Sequence, residues 1–130
     1  MNHILLVEDN VDNQMVIEDL FELDEIDGVL VTVSTAEDAL RRVREVWPIL
    51  ILMDIGLPGM SGLEATRLLK QDEATRHIRI WALTAHAMKK VQQQALEAGC
   101  DDYLTKPICG ADLVNRVNAF LANHGAKEAA

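Results

Sequence analysis

Asp54 closes an apolar run, Ile49-Leu50-Ile51-Leu52-Met53, and the chain then turns through Gly56, Leu57, Pro58, Gly59 and Gly62. Three other apolar runs also end in chemistry. The run from His3 to Val7 ends in Glu8-Asp9, the run from Ile78 to Leu83 in Thr84, and the short run Asp102 to Thr105 in Lys106-Pro107. If these runs are strands of one parallel sheet, their carboxyl ends share an edge, where open α/β sheets place their sites. Three carboxylates, a hydroxyl and an ammonium then converge. Carboxylates packed that closely repel, and at least one pKa rises unless cations neutralise them. Lys106 supplies one positive charge, and a divalent ion would supply two more. A donor set of hard oxygens suits Mg²⁺ (or Mn²⁺), which takes one or two carboxylates and keeps several waters. Such a site has the means to hold a phosphoryl group, whose transfer depends mainly on positioning and charge neutralisation. A carboxylate can itself be the nucleophile and form an aspartyl phosphate. Asp54 is the candidate, since it lies between the acidic pair and the Lys/Thr side.

The elements that must position these residues alternate regularly. The run ending at Asp54 is apolar throughout, as expected of a central parallel strand buried on both faces. Val29 to Val33 is a further strand, and Thr32 places it near the sheet edge. Between the strands, apolar positions recur at helical spacing. The first helix is capped by Asn10, carries Val16, Ile17, Leu20, Phe21 and Leu23, and closes at Gly28 as a C-cap. The second opens with Thr35 and Asp38, or Ser34 and Glu37, carries Ala39, Leu40, Val43 and Val46, and ends at Trp47-Pro48, with Trp47 as its anchor. The third opens at Ser61-Gly62 and turns Leu63, Thr66, Leu68 and Leu69 inward. The fourth runs from about Ala87 to Ala98 on a thin stripe of Met88, Val91, Ala95 and Ala98. The last carries Leu113, Val114, Val117, Phe120 and Leu121, and the residues from Asn123 onward read as a frayed tail. Trp81 is expected to fill the core. Five strands alternating with five helices imply a parallel sheet with helices on both faces.

The whole chain sets bounds on function. At 130 residues, 49% hydrophobic and 25% charged, it fits one globular domain. A net charge of −9 argues against a nucleic-acid-binding surface. No apolar run approaches the roughly 20 residues of a membrane helix. The chain enters its first strand without a signal-like segment, so the cytoplasm is the expected compartment and Cys100 and Cys109 are read as free thiols.

Glu8-Asp9, Asp54 with Leu57-Pro58 and Gly62, Thr84-Ala85 and Lys106-Pro107, in this order at successive strand ends, resemble the receiver domain of two-component response regulators over nearly the full length. Glu64-Ala65-Thr66, Leu83 to Met88 and Ala98 to Tyr103 are similar to stand-alone, cell-cycle-type regulators and to receivers of hybrid kinases. The resemblance implies a CheY-like, flavodoxin-like (βα)5 fold with strand order 2-1-3-4-5, a receiver domain over residues 1–123 and a flexible tail over 124–130. It implies a phosphoacceptor rather than an enzyme, one that assists its own phosphorylation and dephosphorylation. Asp54 would accept the phosphoryl group. Glu8, Asp9, Asp54 and the backbone carbonyl of Gly56 would bind Mg²⁺. Lys106 would pair with the phosphoryl oxygens, and Lys106-Pro107 would be a cis peptide. Thr84 and Tyr103 would form the switch, and His86 would border the phosphoryl group. The implied partners are a histidine kinase or histidine phosphotransferase, and a downstream protein met through helix 4, strand 5 and helix 5 or through helix 1. Neither nucleic acid nor membrane is implied, and the state is a monomer or a phosphorylation-dependent homodimer. The chain is either a stand-alone regulator or a receiver from a longer protein.

Two other classes compete. A haloacid-dehalogenase-type phosphatase also uses an aspartate nucleophile and Mg²⁺, but needs a second aspartate where Gly56 stands. A flavodoxin-like cofactor binder needs a phosphate loop after strand one, where Glu8-Asp9 would repel phosphate.

Overall fold

The structure is a computed structural model that describes residues 2–23, 26–57, 59–85 and 89–124. Among them the order is β1 (His3–Val7), α1 (Val11–Glu22), β2 (Val29–Val33), α2 (Ala36–Val46), β3 (Leu50–Asp54), α3 (Gly62–Gln71), β4 (Arg79–Thr84), α4 (Lys89–Ala98), β5 (Asp102–Thr105) and α5 (Gly110–His124). The strands form one parallel sheet in the order β2-β1-β3-β4-β5. This is the flavodoxin-like arrangement read from the sequence.

The all-apolar strands are explained by a core on each side of them. Successive side chains of a strand point to opposite faces. Leu5, Val7, Ile51, Met53, Ile80 and Ala82 join Ala36, Ala39 and Val43 of α2, Ala65 and Leu69 of α3 and Ala95 of α4. Ile4, Leu6, Leu50, Leu52, Trp81, Leu83 and Leu104 join Ile17 of α1 and Leu113, Val117 and Phe120 of α5. Every residue of β3 is buried, whereas every residue of β2 is half-buried, as its edge position requires. Trp81 lies in the core, edge-on to Phe120 with ring centroids 5.6 Å apart. No helix among the described residues is long and apolar enough to cross a membrane.

Side-chain caps set the helix starts. Asn10, Thr35 and Ser61 accept the backbone N–H groups of Asn13, Asp38 and Glu64 at 3.0, 3.1 and 3.1 Å. The ends differ from expectation. α1 stops at Glu22 with Leu23 as its C-cap, so Gly28 does not close it. Gly28 instead passes close to β1, where a Cβ would stand 3.3 Å from the Asn2 carbonyl oxygen and from Ile4. Trp47 is the C-cap of α2 in the left-handed region (φ 51°), and it is half exposed rather than an anchor. Val16, Leu23 and Leu68 face solvent, not the core. A helix with apolar residues on adjacent positions cannot bury all of them against one sheet. The expected start of α4 at Ala87 lies outside the described residues, as do residues 125–130. α5 continues through Asn123 to His124, whose ring stacks on Phe120 with centroids 4.8 Å apart.

Candidate phosphoryl and metal site

Sheet register brings the chemistry together. Val7 aligns with Met53, so Glu8 follows β1 beside Asp54. Asp54 aligns with Leu83 and Thr84 with Thr105, which carries Thr84 and Lys106 to the same edge. The Lys106 N–H donates to the Thr84 carbonyl at 2.7 Å, extending the β4–β5 pairing to the lysine itself. The Lys106–Pro107 peptide is cis.

Lys106 Nζ lies 2.7 Å from Glu8 Oε1 and 3.0 Å from Asp54 Oδ2, so one ammonium bridges two carboxylates. Both are deeply placed, Glu8 at 1% and Asp54 at 5% exposure. Asp54 Oδ1 accepts the Gly56 N–H at 2.8 Å, which fixes its carboxylate plane from within the following turn. Glu8 Oε2 accepts the Asn10 N–H at 3.2 Å. Asp9 is exposed, yet carboxylate oxygens of Glu8, Asp9 and Asp54 all lie within 4.8 Å of one another.

The electrostatics follow from this packing. Burial pushes the Glu8 carboxyl above the usual carboxylate range, and Asp54 beside it pushes the same way; Lys106 and the Asn10 N–H offset this only in part. Burial alone would lower the Lys106 ammonium, but its pairs with Glu8 and Asp54 outweigh that, and it ends above the usual lysine value. Three carboxylates face one bridging ammonium, a formal excess of two negative charges. Glu8 Oε1 is buried without an aligned hydrogen bond, its 2.7 Å approach to Lys106 being an ion contact. An all-oxygen donor set, a surplus of negative charge and a carboxylate oxygen with spare capacity fit a hard divalent cation.

Thr84 is the buried last residue of β4, and Tyr103 is half-buried on β5 with its ring against the core shared with α2, α3 and α4. Gly56 is exposed next to Asp54. Gly62, the first residue of α3, lies against the main chain of Asp54. Pro58 and His86 lie outside the described residues.

Sequence reasoning missed Gln14. From the first turns of α1 its amide donates to the Glu8 carbonyl and, at 3.3 Å, to Ser34 Oγ, tying β1, α1 and the β2–α2 turn together. Nothing in the local pattern distinguishes Gln14 from any polar helix residue. Arg116 was also missed and is taken up below.

Comparison with known proteins agrees with this arrangement. Residues 4–118 match the response regulator receiver domain family. The chain belongs to that family, and it is a signalling protein of the two-component kind. It is 38% identical over 120 residues to the polar-differentiation response regulator DivK of Brucella ovis, covering 92% of this chain and 96% of that one. Among solved structures, it is similar to the receiver domain of the sensor histidine kinase PA1611 from Pseudomonas aeruginosa PAO1, which holds a magnesium ion in its active-site cleft. That match has a TM-score of 0.82 and 37% identity, over 93% of this chain and 98% of that one. It is also similar to a chain in the co-crystal structure of the Saccharomyces cerevisiae phosphotransfer protein Ypd1 and the receiver domain of Ssk1, with a TM-score of 0.83 and 29% identity, over 93% of this chain and 91% of that one.

Proposed function

We propose that this receiver is switched by phosphorylation of Asp54 from a phosphohistidine donor. The observation that carries the reading is the Lys106 ammonium bridging Glu8 and Asp54 beside the exposed carboxylate of Asp9. In the transfer, a carboxylate oxygen of Asp54 forms the new bond to phosphorus while the bond from phosphorus to the donor imidazole nitrogen breaks. The electron pair leaves with that nitrogen. Glu8, Asp9, Asp54 and the Gly56 carbonyl would hold Mg²⁺ (or Mn²⁺), which when bound would neutralise charge on the phosphoryl oxygens. Lys106 gives up part of its pairing with Asp54 and takes a phosphoryl oxygen. Thr84, one residue beyond the partner of Asp54 on β4, gives its hydroxyl to the phosphoryl group, and Tyr103 responds to that movement. The chain acts as a phosphoacceptor rather than as an enzyme with a separate substrate, and it works in the cytoplasm.

The donor docks on α1. Val11, Met15 and Val16 are exposed there, at 63%, 53% and 49%. Beside them a groove of about 340 Å³ runs between Leu20 of α1 and Gly110, Ala111 and Val114 of α5. Val11 and Met15, one turn apart, share a face, and exposed apolar side chains on one face mark an interaction surface. A histidine kinase or histidine phosphotransferase presenting a helix fits this place; that such a protein is the partner is in keeping with the co-crystal structure of Ypd1 and the Ssk1 receiver domain. Downstream partners read the α4–β5–α5 side, where α4 buries only Ala95 and Ala98 among its described residues and is loosely held.

The deciding experiment is labelling by acetyl phosphate with Mg²⁺ or with EDTA. Labelling is expected in wild type with Mg²⁺, and is expected to vanish with EDTA or in Asp54→Asn. Label retained in Asp54→Asn at another residue overturns the assignment.

A further inference from the structure

Tyr103 lies on β5, the edge strand on that side of the sheet, and side chains close off its main chain there. Its N–H donates to the Asp102 carboxylate at 2.8 Å, and its carbonyl accepts from the Arg116 guanidinium at 3.3 Å. Arg116 also pairs with Asp102, so both caps belong to one ion pair. The guanidinium carbon lies 5.2 Å from the centre of the buried Trp81 ring. Asp112, one turn earlier on α5, stands 3.8 Å from its other side. A backbone carbonyl, two carboxylates and an indole are met together by a planar group with several donors, which lysine does not offer.

An edge strand is often blunted against pairing with other chains. An exposed lysine anywhere on β5 would serve that purpose. Here the cap is partly buried and falls on one residue. That residue aligns with Ala82, between Trp81 on the α5 side and the strand end at Thr84.

We propose that Arg116 is a positioning residue for Tyr103. It fixes the main chain of β5 so that the ring answers events at Asp54 through its side-chain torsions, and it ties that answer to α5 and Trp81. The proposal rests on the reading of Tyr103 as the switch residue. Loss of Arg116 leaves the phosphoacceptor chemistry intact and removes the defined ring response.

Tyr103 is the single tyrosine of the chain, so its ring resonances are unambiguous. They are followed by NMR in the whole chain, with and without Mg²⁺ and beryllofluoride, in wild type, Arg116→Met and Arg116→Lys. Amide hydrogen exchange of Tyr103 is measured in parallel. Arg116→Met keeps the aliphatic stem over Trp81 and so preserves packing. It is expected to raise Tyr103 exchange about tenfold, because the Asp102 carboxylate that accepts the Tyr103 N–H loses the guanidinium that holds it in place. It is also expected to abolish the shift of the ring signals, while acetyl phosphate still labels Asp54. Arg116→Lys, which keeps the pair with Asp102, restores the shift in part. A full ring response in Arg116→Met overturns the proposal. A wild-type ring that does not respond overturns the switch reading instead, and the exchange measurement still decides whether Arg116 fixes the Tyr103 main chain.

Discussion

The Cβ that Gly62 lacks would fall 2.3 Å from the carbonyl oxygen of Asp54. Helix α3 thus begins directly against the residue at the centre of the site, and only a hydrogen fits between them. Gly62→Ala must push α3 or the strand end aside. Strain of this kind costs about 1–3 kcal/mol, and it acts on the segment that aims the carboxylate. Chemical denaturation is expected to show that loss, and acetyl phosphate labelling is expected to slow in protein that remains folded. A variant as stable as wild type would contradict the tight approach.

Glu8 is held in the fold at a cost. Its folded pKa is raised, so its contribution favours the folded state at pH below the ordinary carboxylate value near 4.5, and this is lost as pH rises through the raised value. Glu8→Gln removes the charge and keeps the shape. Without divalent metal, thermal denaturation is expected to show the variant more stable than wild type at pH 7. The advantage is expected to shrink toward pH 4.5. An equal difference at both pH values would show that the carboxylate carries no such penalty.

Lys106 shifts in the same direction but in a different pH window. Its folded pKa is raised too, but for a cation that means stability fully present below about pH 10.5 and lost only above it. Lys106→Ala leaves Glu8 and Asp54 as adjacent buried carboxylates without their cation. The expected loss at pH 7 is about 3–5 kcal/mol, and it is expected to shrink as the pH falls toward the carboxylate range and protonation relieves the unpaired charge. Millimolar Mg²⁺ is expected to recover part of it, since a ligand that binds only the folded state stabilises it. Melting curves at two pH values, with and without Mg²⁺, give the answer; a deficit independent of both would point to lost packing rather than charge.

The α1 surface is separable from the chemistry. Val11→Glu and Met15→Glu alter exposed side chains away from the buried carboxylates. Transfer from a phosphohistidine donor is expected to fall about tenfold or more, as for truncation of a central contact. Labelling by acetyl phosphate, which needs no docking, is expected to stay unchanged. Equal effects on both donors would place the docking surface elsewhere.

Much of this molecule was legible before any coordinates. Strands such as Leu50–Asp54 announce themselves because burial on both faces leaves room for nothing polar until the strand ends. The polar residue that then appears stands at the site for that same reason. Caps such as Asn10 and Thr35 are legible because their hydrogen bonds are local. Failures came where the outcome depends on a distant partner. Val16 and Leu23 look inward by spacing, yet α1 meets the sheet through Ile17, Leu20 and Phe21. Trp47 looked like an anchor because indole is apolar, but the left-handed turn it adopts throws it outward. Gln14 and Arg116 act across the fold on main-chain groups, and main-chain groups carry no sequence signal.

The turn after β1 joins two things that have so far been kept apart. Glu8 is held by the N–H of Asn10, the residue that caps α1, and by Gln14, which grips the Glu8 carbonyl from within the helix. The helix proposed to receive the donor is, at its N-terminal end, tied to the acidic pocket. If a protein docked on that face displaces α1, these contacts would carry the displacement into the pocket and change how well it holds a cation. By thermodynamic reciprocity the loaded pocket changes the affinity for that protein by the same factor. Cation loading and partner recruitment would then be two readings of a single equilibrium.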